Sequence, residues 1–409
     1  CLHRGCVPTK AMLHAAEVAE AVEDGARVGV NLALEGVDGA KIAEFRDGIV
    51  AGKFKGLQGL LKAKKIDVVA GEGKLVDATT VEVDGERYVG KHIVLATGSY
   101  SRSIPGLEIT GNVITSDQAL LMDWVPERAV VLGGGVIGLE FASLWRSLGA
   151  EVTVIEGLPN LAPAEDAAIS KQLERAYKKR GIAFQTSTKF ESVTQDEYGV
   201  HVTTDKGETI DGDVLLVAIG RGPVTQGIGL EEAGVELDRG FVTVDEHLQT
   251  SLKGVYAIGD IVPGLQLAHR GFAHGIFVAE EVAGKQPAVV QDLLIPKVTY
   301  SHPEIASVGL TEAAAREAHG EAVQTYQYDL GGNGRSQILG TQGFVKVVRL
   351  KEGPVVGVHM VGDRMGEQVG EAMLIVGWEA VPADVTPFVH AHPTQNEALG
   401  EALLALAGQ

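Results

Sequence analysis

The chain has 409 residues, of which 45% are hydrophobic, so it is long enough for two or three domains with full cores. Its net charge of -19 at pH 7, without any basic cluster, argues against a nucleic-acid partner and favours small molecules or basic protein surfaces. No apolar run reaches the length needed to span a bilayer, which argues against a membrane role, and we expect a cytoplasmic location.

The chain contains two cysteines, Cys1 and Cys6, which lie close together at its start. A disulfide across so short a loop would add little stability, which favours a redox role over a structural one. Pro8 and the apolar residues after it predict a helix that ends near Gly25, so Cys6 lies at a helix N-terminus. There the helix dipole favours a thiolate, and Lys10 adds positive charge. A pair of ordinary reduced cysteines is the alternative interpretation.

A series of short strands follows the helical part of the chain. The pattern predicts strands, separated by Gly and Asp turns, over residues 66–70, 80–83, 88–89 and 92–98. The last of these is predicted to be buried and ends in a small-residue turn at Gly98. We interpret residues 122–127 as a linker.

A new unit begins with a strand over residues 128–132, followed by Gly133, Gly135 and Gly138, an apolar helix, and a second strand that ends at Glu156. This order is typical of a dinucleotide-binding unit. Gly133 permits the tight turn, Gly135 lets a pyrophosphate approach the helix N-terminus, and Gly138 lets helix and strand pack closely. Glu156 would bind the ribose hydroxyls and repel a 2′-phosphate, which favours NAD over NADP. A purely structural glycine turn is the alternative.

Two further apolar strands, over residues 213–220 and 254–260, also end in small residues. The first resembles the strand at 92–98, which suggests two nucleotide-binding units of similar build. The second brings Asp260 to the carboxyl end of a strand, where ligands of open α/β sheets bind, so Asp260 is a candidate ligand for a sugar-like hydroxyl. The alternative is an aspartate that caps the next helix.

The chain changes character from about Leu294 onward. Strands are predicted over 298–300, 344–350 and 355–360, followed by a long amphipathic helix over 365–378, which together indicate a separate α+β domain. Near its end, His390, His392 and Glu397 have the composition of a base oriented by a carboxylate. Two surface histidines near a helix start are the alternative.

Together these segments resemble the flavin-dependent pyridine nucleotide-disulphide oxidoreductases, and most closely those that oxidise dihydrolipoamide, over essentially the whole chain. Four motifs carry the resemblance: the segment from Cys1 to Lys10, the glycine turn with Glu156, the strand before Asp260, and the segment from His390 to Glu397. The resemblance implies an α/β fold with two Rossmann-like domains, for FAD and NAD, and a C-terminal α+β dimerisation domain. The expected boundaries are 1–125 and 246–293 for the FAD domain, 126–245 for the NAD domain and 294–409 for the dimerisation domain.

The resemblance also implies residue roles. Cys6 would face the flavin and Cys1 would exchange with the dithiol substrate, while His392 would be the base, held by Glu397 and supplied by the other subunit of a homodimer. Lys10 would lie beside flavin N5 and pair with Glu140, and Asp260 would bind the ribityl chain. The expected cofactor-binding residues are Lys10, Gly98, Gly133, Gly135, Gly138, Glu140, Glu156, Gly220, Asp260 and Ala268. No metal site is predicted.

The implied reaction is the oxidation of dihydrolipoamide, carried on an acyltransferase lipoyl domain, with reduction of NAD. The alternatives are a glutathione-type reductase, against which Glu156 argues because such enzymes generally use NADPH, and a non-catalytic NAD-binding scaffold subunit. An amino-terminal flavin unit precedes the cysteines in the family, so we expect this chain to be a fragment of a normal enzyme. Gln395 and Asn396 replace the more usual Leu-Ser, and Leu2-His3-Arg4 is an unusual filling between the cysteines.

Overall fold

The computed structural model of the chain describes residues 1–408, without the side chain of Glu23. The α-helices in this part of the chain are α1 (Cys6–Gly25), α2 (Gly39–Ala63), α3 (Ser116–Ala119), α4 (Val136–Ser147), α5 (Ala167–Lys179), α6 (Ala268–Val282), α7 (Glu312–His319), α8 (Gly334–Leu339), α9 (Val369–Gly377), α10 (Pro382–Val385) and α11 (Glu397–Ala407).

The strands of the first half are β1 (Gly73–Asp77), β2 (Thr80–Val83), β3 (Glu86–Val89), β4 (Ile93–Leu95), β5 (Ser99–Ser101), β6 (Val113–Thr115), β7 (Arg128–Leu132), β8 (Glu151–Ile155), β9 (Ala183–Gln185), β10 (Phe190–Asp196) and β11 (Gly199–Thr204). Those of the second half are β12 (Thr209–Gly212), β13 (Val214–Val217), β14 (Arg221–Pro223), β15 (Leu237–Asp238), β16 (Phe241–Val242), β17 (Val255–Ala257), β18 (Lys297–Thr299), β19 (Glu304–Gly309), β20 (Val323–Asp329), β21 (Phe344–Leu350) and β22 (Val355–Gly362).

The chain divides into two compact units, which we describe separately. The first unit comprises Cys1–Cys6, Gly48–Arg102 and Arg221–Asp292. The second unit comprises Val7–Asp47, Ser103–Gly220 and the residues from Leu293 onward.

The first unit contains short sheets. Strands β1, β2 and β3 form an antiparallel sheet, and β4 pairs in parallel with β17. Strand β5 pairs with β14, which places the residues after β4 beside Arg221. Because β4 and β17 are parallel, their carboxyl ends lie side by side. The core beneath these strands contains Leu95, Val255 and Ala257.

A parallel sheet forms the first half of the second unit, in the order β6-β13-β7-β8-β9. Its strands are buried on both faces, because helices α4 and α5 cover one face and the antiparallel sheet β10-β11-β12 covers the other. Helices α4 and α5 contribute Phe141, Trp145 and Tyr177 to this core. The carboxyl ends of β7, β8 and β13 therefore share one edge, where Gly133, Glu156 and Ala218 follow the strands.

The second half of the unit is a five-stranded antiparallel sheet in the order β18-β19-β22-β21-β20. Helices α9 and α11 pack on it through residues such as Ile375 and Leu403, which meet Val345 and Met360. Lys346 in β21 is buried and pairs with Asp166, the N-cap of α5, at 2.8 Å. This layer confirms the α+β prediction for the C-terminal region and its strands at 298–300, 344–350 and 355–360.

Several predicted elements form where expected, since α1 begins at Cys6 and ends at Gly25 and the strands around residues 80–89, 128–132 and 151–155 are present. The strand predicted over 66–70 is wrong. Among the described residues it pairs with no other strand, and Val68 is 71% exposed. An apolar run without a neighbouring strand has no ladder partner for its backbone groups, so the sequence pattern alone does not produce a strand.

Two other predictions need correction in length or burial. The strand at 92–98 spans only β4, and Val94 within it is 45% exposed. The long helix predicted over 365–378 is a 3₁₀ turn, Met365–Glu367, followed by α9. At the break, the Gln368 amide donates to the Met365 carbonyl three residues back at 3.1 Å, and the Gly366 amide at the start of the turn donates to the carboxylate of Glu304 at 2.9 Å.

No helix in the described part of the chain has the length and apolarity needed to cross a membrane.

Candidate active site

The two cysteines form a disulfide, with their Cα atoms 4.6 Å apart. Cys6 is the first residue of α1, so its sulfur lies where the unpaired amides of a helix start favour a thiolate after reduction. Within the loop, the His3 ring packs edge-on against Phe54, with the ring centroids 4.7 Å apart. A Cβ at Gly5 would lie 3.2 Å from the Cys1 Cα, so the loop is tightly packed at this glycine.

Lys10 and Glu140 form an ion pair in the second unit. The Lys10 ammonium lies 2.8 Å from both carboxylate oxygens of Glu140, whose side chain is 4% exposed, against 33% for Lys10. The same ammonium lies 4.6 Å above the ring of Tyr300, and the Tyr300 amide donates to Glu140 at 3.0 Å. Burial, together with nearby carboxylates, raises the pKa of Tyr300. Glu140 thus fixes the partly exposed ammonium of Lys10, which remains accessible to a ligand.

Sequence reasoning missed Tyr300 as a component of this cluster. Its signal in the sequence is only an aromatic residue at the end of a predicted strand, and the contact with Lys10 joins residues far apart in the chain.

The glycine turn after β7 has the geometry that dinucleotide binding requires. Gly133 has φ +114°, a conformation that favours glycine, and a Cβ there would lie under 3.0 Å from the Ala218 carbonyl oxygen. A Cβ at Gly138 would come equally close to the Gly133 carbonyl oxygen. Gly135, the N-cap of α4, has no atom within 4 Å of a Cβ position, so open space lies above the helix N-terminus.

Glu156 follows β8 at the same sheet edge and is only 9% exposed. One carboxylate oxygen accepts a hydrogen bond from the Gly134 amide at 2.6 Å, and the other accepts from the Leu158 amide at 2.7 Å. Each carboxylate oxygen has a further lone pair for a sugar hydroxyl. The open helix N-terminus and this fixed carboxylate together fit the pyrophosphate and ribose of NAD. Gly220 follows β13 with φ +119° and open space at its Cβ position.

In the first unit, Asp260 lies just after β17, within a 3₁₀ turn. Its carboxylate accepts a hydrogen bond from the Ser99 hydroxyl at 2.5 Å, and Arg221 donates to the Ser99 hydroxyl at 2.7 Å and to the Ser99 carbonyl at 2.6 Å. Gly98, between β4 and Ser99, has φ +75° and open space at its Cβ position. A carboxylate at a strand end beside an open glycine turn fits the hydroxyl-rich chain of FAD.

Sequence reasoning missed Ser99 and Arg221, whose only signal is their position just after the two similar strand ends. The helix-cap alternative for Asp260 does not describe its hydrogen bonding, because the carboxylate binds Ser99 and the residue before α6 is Leu267. Ala268 is the first residue of α6.

The two histidines near the C-terminus have different surroundings. His392 is 80% exposed, and its Nδ1 lies 2.8 Å from a carboxylate oxygen of Glu397. The Thr394 amide donates to the other oxygen at 2.7 Å, and this bond, together with His392, lowers the pKa of Glu397. His390 is 17% exposed and instead contacts Glu371. The exposed imidazole of His392 therefore contacts an ionised carboxylate, which is the arrangement that a general base requires.

The predicted site residues are divided between the units. Cys1, Cys6, Gly98, Asp260 and Ala268 belong to the first unit. The second unit contains Lys10, Gly133, Gly135, Gly138, Glu140, Glu156, Gly220, His392 and Glu397. Their individual roles stay predictions.

Comparison with known proteins gives matches along the chain. The family model described as pyridine nucleotide-disulphide oxidoreductase matches residues 1–275, and the dimerisation domain of the same family matches residues 295–403. Dihydrolipoyl dehydrogenase of Bacillus subtilis is 37% identical over 430 residues, covering 100% of this chain and 90% of the relative. That of Thermus scotoductus is 38% identical over 418 residues, with coverage of 100% and 90%. The crystal structure of LpdA from Mycobacterium tuberculosis superposes with a TM-score of 0.92 at 26% identity, over 99% of this chain and 90% of that one.

Proposed function

This chain belongs to the pyridine nucleotide-disulphide oxidoreductase family, and from that premise we propose that it oxidises dihydrolipoamide to lipoamide and reduces NAD. The observation that carries the proposal is the disulfide between Cys1 and Cys6 at the start of a helix, because dithiol oxidation needs an acceptor whose leaving sulfur is stabilised as an anion. FAD and NAD are the cofactors of this enzyme class, and both are in keeping with the sites described above.

We assign the proton transfer to His392. Its exposed imidazole removes a proton from the dithiol, and the ionised Glu397 stabilises the imidazolium that results. The substrate thiolate then attacks Cys1 Sγ, the disulfide bond breaks, and Cys6 leaves as a thiolate at the helix start. After the imidazolium releases its proton to solvent, His392 takes the second proton, and the other substrate sulfur attacks the substrate sulfur of the mixed disulfide, which releases lipoamide and the Cys1 thiolate. The electron pair from the dithiol now resides on the two cysteines.

We assign the binding and orientation of the cofactors to the residues that follow β17 in the first unit and β7 and β8 in the second. Asp260 and Lys10 would hold FAD, with Lys10 kept in place by Glu140, and FAD when bound supplies two-electron transfer between the cysteine pair and NAD. The turn at Gly135 would bind the NAD pyrophosphate, and Glu156 would bind the adenosine ribose. We propose the same division of the chain as the motifs indicate, with an FAD domain in 1–125 and 246–293, an NAD domain in 126–245 and an interface domain in 294–409.

The match to the dimerisation domain of the family supports a homodimer, and we propose that His392 and Glu397 serve the disulfide of the other subunit. The 80% exposure of His392 within one chain supports this arrangement. The proposed substrate is dihydrolipoamide on an acyltransferase lipoyl domain. A cytoplasmic location stays a prediction that cell fractionation would test.

A spectrum and an activity assay test the proposal together. The purified protein is expected to be yellow and to reduce NAD with dihydrolipoamide. Cys6→Ser is expected to abolish that reaction, and His392→Gln to lower it by about a hundredfold or more. A yellow protein that prefers glutathione disulfide and NADPH would support the glutathione-type alternative, and a colourless protein that binds NAD would support a scaffold subunit.

A further inference from the structure

The segment that carries His392 is fastened at its C-terminal end by Asn396. This residue occupies the N-cap position of α11, yet its side chain makes no capping hydrogen bond. The Asn396 amide nitrogen instead donates to a carboxylate oxygen of Glu371 in α9 at 2.9 Å. Asparagine is among the best N-cap residues, so the loss of that role indicates that its amide serves another contact.

The N-terminal end of the same segment is fastened to the same carboxylate. The second oxygen of Glu371 lies 2.8 Å from Nε2 of His390. The His390 ring lies directly over Gly400 in α11, where a Cβ would come within 2.6 Å of its Nδ1. The ring is thus held between Glu371 and the backbone of α11, and Glu371 joins both ends of the segment 390–396 to α9.

Two further hydrogen bonds hold the middle of the segment. Gln395 is 7% exposed and donates to the Asp363 carbonyl oxygen at 2.8 Å. Asn333 donates to the Thr394 carbonyl oxygen at 2.9 Å. Gln395 and Asn396 are the positions at which this sequence departs from the Leu-Ser expected there, and both side chains anchor the segment through hydrogen bonds.

We propose that Asn396 and Glu371 are positioning residues for His392. By fixing both ends of the segment, they keep the His392 imidazole aligned with Glu397, whose carboxylate lies in the first turn of the helix that Asn396 starts. Misplacement of a reacting group by about 1 Å costs roughly a hundredfold in rate. This inference rests on the proposed dithiol oxidation, in which His392 is the base.

The test compares Asn396→Ala and Glu371→Ala with Glu371→Gln in the FAD-loaded full chain. We expect kcat for dihydrolipoamide oxidation to fall about tenfold in both alanine variants, with KM changed less than about twofold. The double alanine variant is expected to lose no more than Glu371→Ala alone, because that variant already removes the hydrogen bond of Asn396. Glu371→Gln keeps an acceptor oxygen for Asn396 and replaces the other oxygen by an NH2 group, which donates to Nε2 of the His390 ring in its Nδ1–H tautomer, so it should retain at least about a third of kcat.

Three readouts separate positioning from general damage. The acidic limb of the kcat pH profile should move to lower pH in the alanine variants, since a loosened Glu397 stabilises the imidazolium less. Reduction of ferricyanide by NADH, which needs no dithiol base, should be unchanged. Hydrogen exchange in residues 386–397 should be faster in the alanine variants than in Glu371→Gln. Gln324→Ala, which removes an exposed hydrogen bond to Arg349 in the same domain, serves as the matched control and should match the unmodified protein in all readouts.

Normal kcat and pH profile in both alanine variants would overturn the positioning role while leaving the dithiol reaction intact. An equal fall in ferricyanide reduction would also overturn it, because the damage would then not be confined to the base. If the unmodified protein does not oxidise dihydrolipoamide at all, the proposed function itself fails and this inference falls with it.

Discussion

Two glycines of one turn provide a matched pair of substitutions that separates folding from NAD binding. Gly138→Ala and Gly135→Ala add the same methyl group three positions apart. At Gly138 the new Cβ would lie under 3.0 Å from the Gly133 carbonyl oxygen and 3.1 Å from Val131 Cγ1. At Gly135 no atom lies within 4 Å of the added methyl group.

The geometry sets the size of each effect. An ordinary contact for a Cβ is 3.4–4 Å, so α4 must move away from β7 to accept Ala at Gly138. Overpacking of this kind costs about 1–3 kcal/mol, and the gain in helix propensity recovers about 1 kcal/mol at most. We therefore expect Gly138→Ala to lower the free energy of unfolding by about 1–2 kcal/mol. Gly135→Ala should lower it by less than about 1 kcal/mol, since only the weak N-cap preference of glycine is lost.

For NAD binding, the substitution at Gly135 should have the larger effect. A methyl group at Gly135 occupies the space into which a pyrophosphate must enter to reach the amides of α4, so the Kd for NAD should rise about a hundredfold with the fold intact. Denaturant unfolding at fixed excess FAD measures the first effect, and calorimetric titration with NAD measures the second. The reasoning is refuted if Gly135→Ala binds NAD normally, or if Gly138→Ala is as stable as the unmodified protein.

Three further predictions concern charged groups. Lys10→Met and Glu140→Gln should each lower the free energy of unfolding by about 2–3 kcal/mol, and a double-mutant cycle should give a coupling of about 2 kcal/mol; a coupling below about 0.5 kcal/mol would contradict a stabilising ion pair. Burial raises the pKa of Glu304 to about 7, so the folded state retains a proton that the unfolded chain releases, and stability is lost as pH rises from about 4.5 through 7. The free energy of unfolding of Glu304→Gln, measured by denaturation at each pH, should therefore equal that of the unmodified protein at pH 5 and exceed it by about 2–3 kcal/mol at pH 8. Equal values at pH 8 would contradict this prediction. Glu156→Ala should weaken NADH binding at least about tenfold while NADPH binding weakens less, so that the ratio of the two Kd values measured by fluorescence titration moves toward one; Glu156→Gln, which keeps one acceptor, should lie between.

Local patterns in the sequence were sufficient for the parts of the fold whose partners lie close along the chain. The run from residue 128 to Glu156 places its own strand, turn, helix and strand in order, and the glycines report the backbone conformations that their positions require. The start of α1 at Cys6 also follows from the local pattern, and the pairing of His392 with Glu397, which lies only five residues further on, is implied by the resemblance. In each case the interacting groups are brought together by one or two elements of secondary structure.

Contacts across large sequence distances were settled only by the tertiary structure. Tyr300 over Lys10, and Glu371 between His390 and Asn396, join segments whose side chains show no mutual signal in the sequence. The apolar run at 66–70 looked like a strand, yet a strand needs a neighbour to accept its hydrogen bonds, and periodicity does not say whether one is present. The sequence alone determined which backbone conformations and faces each segment prefers. The path of the chain decided which of those faces meet, because that choice depends on the packing of all segments together.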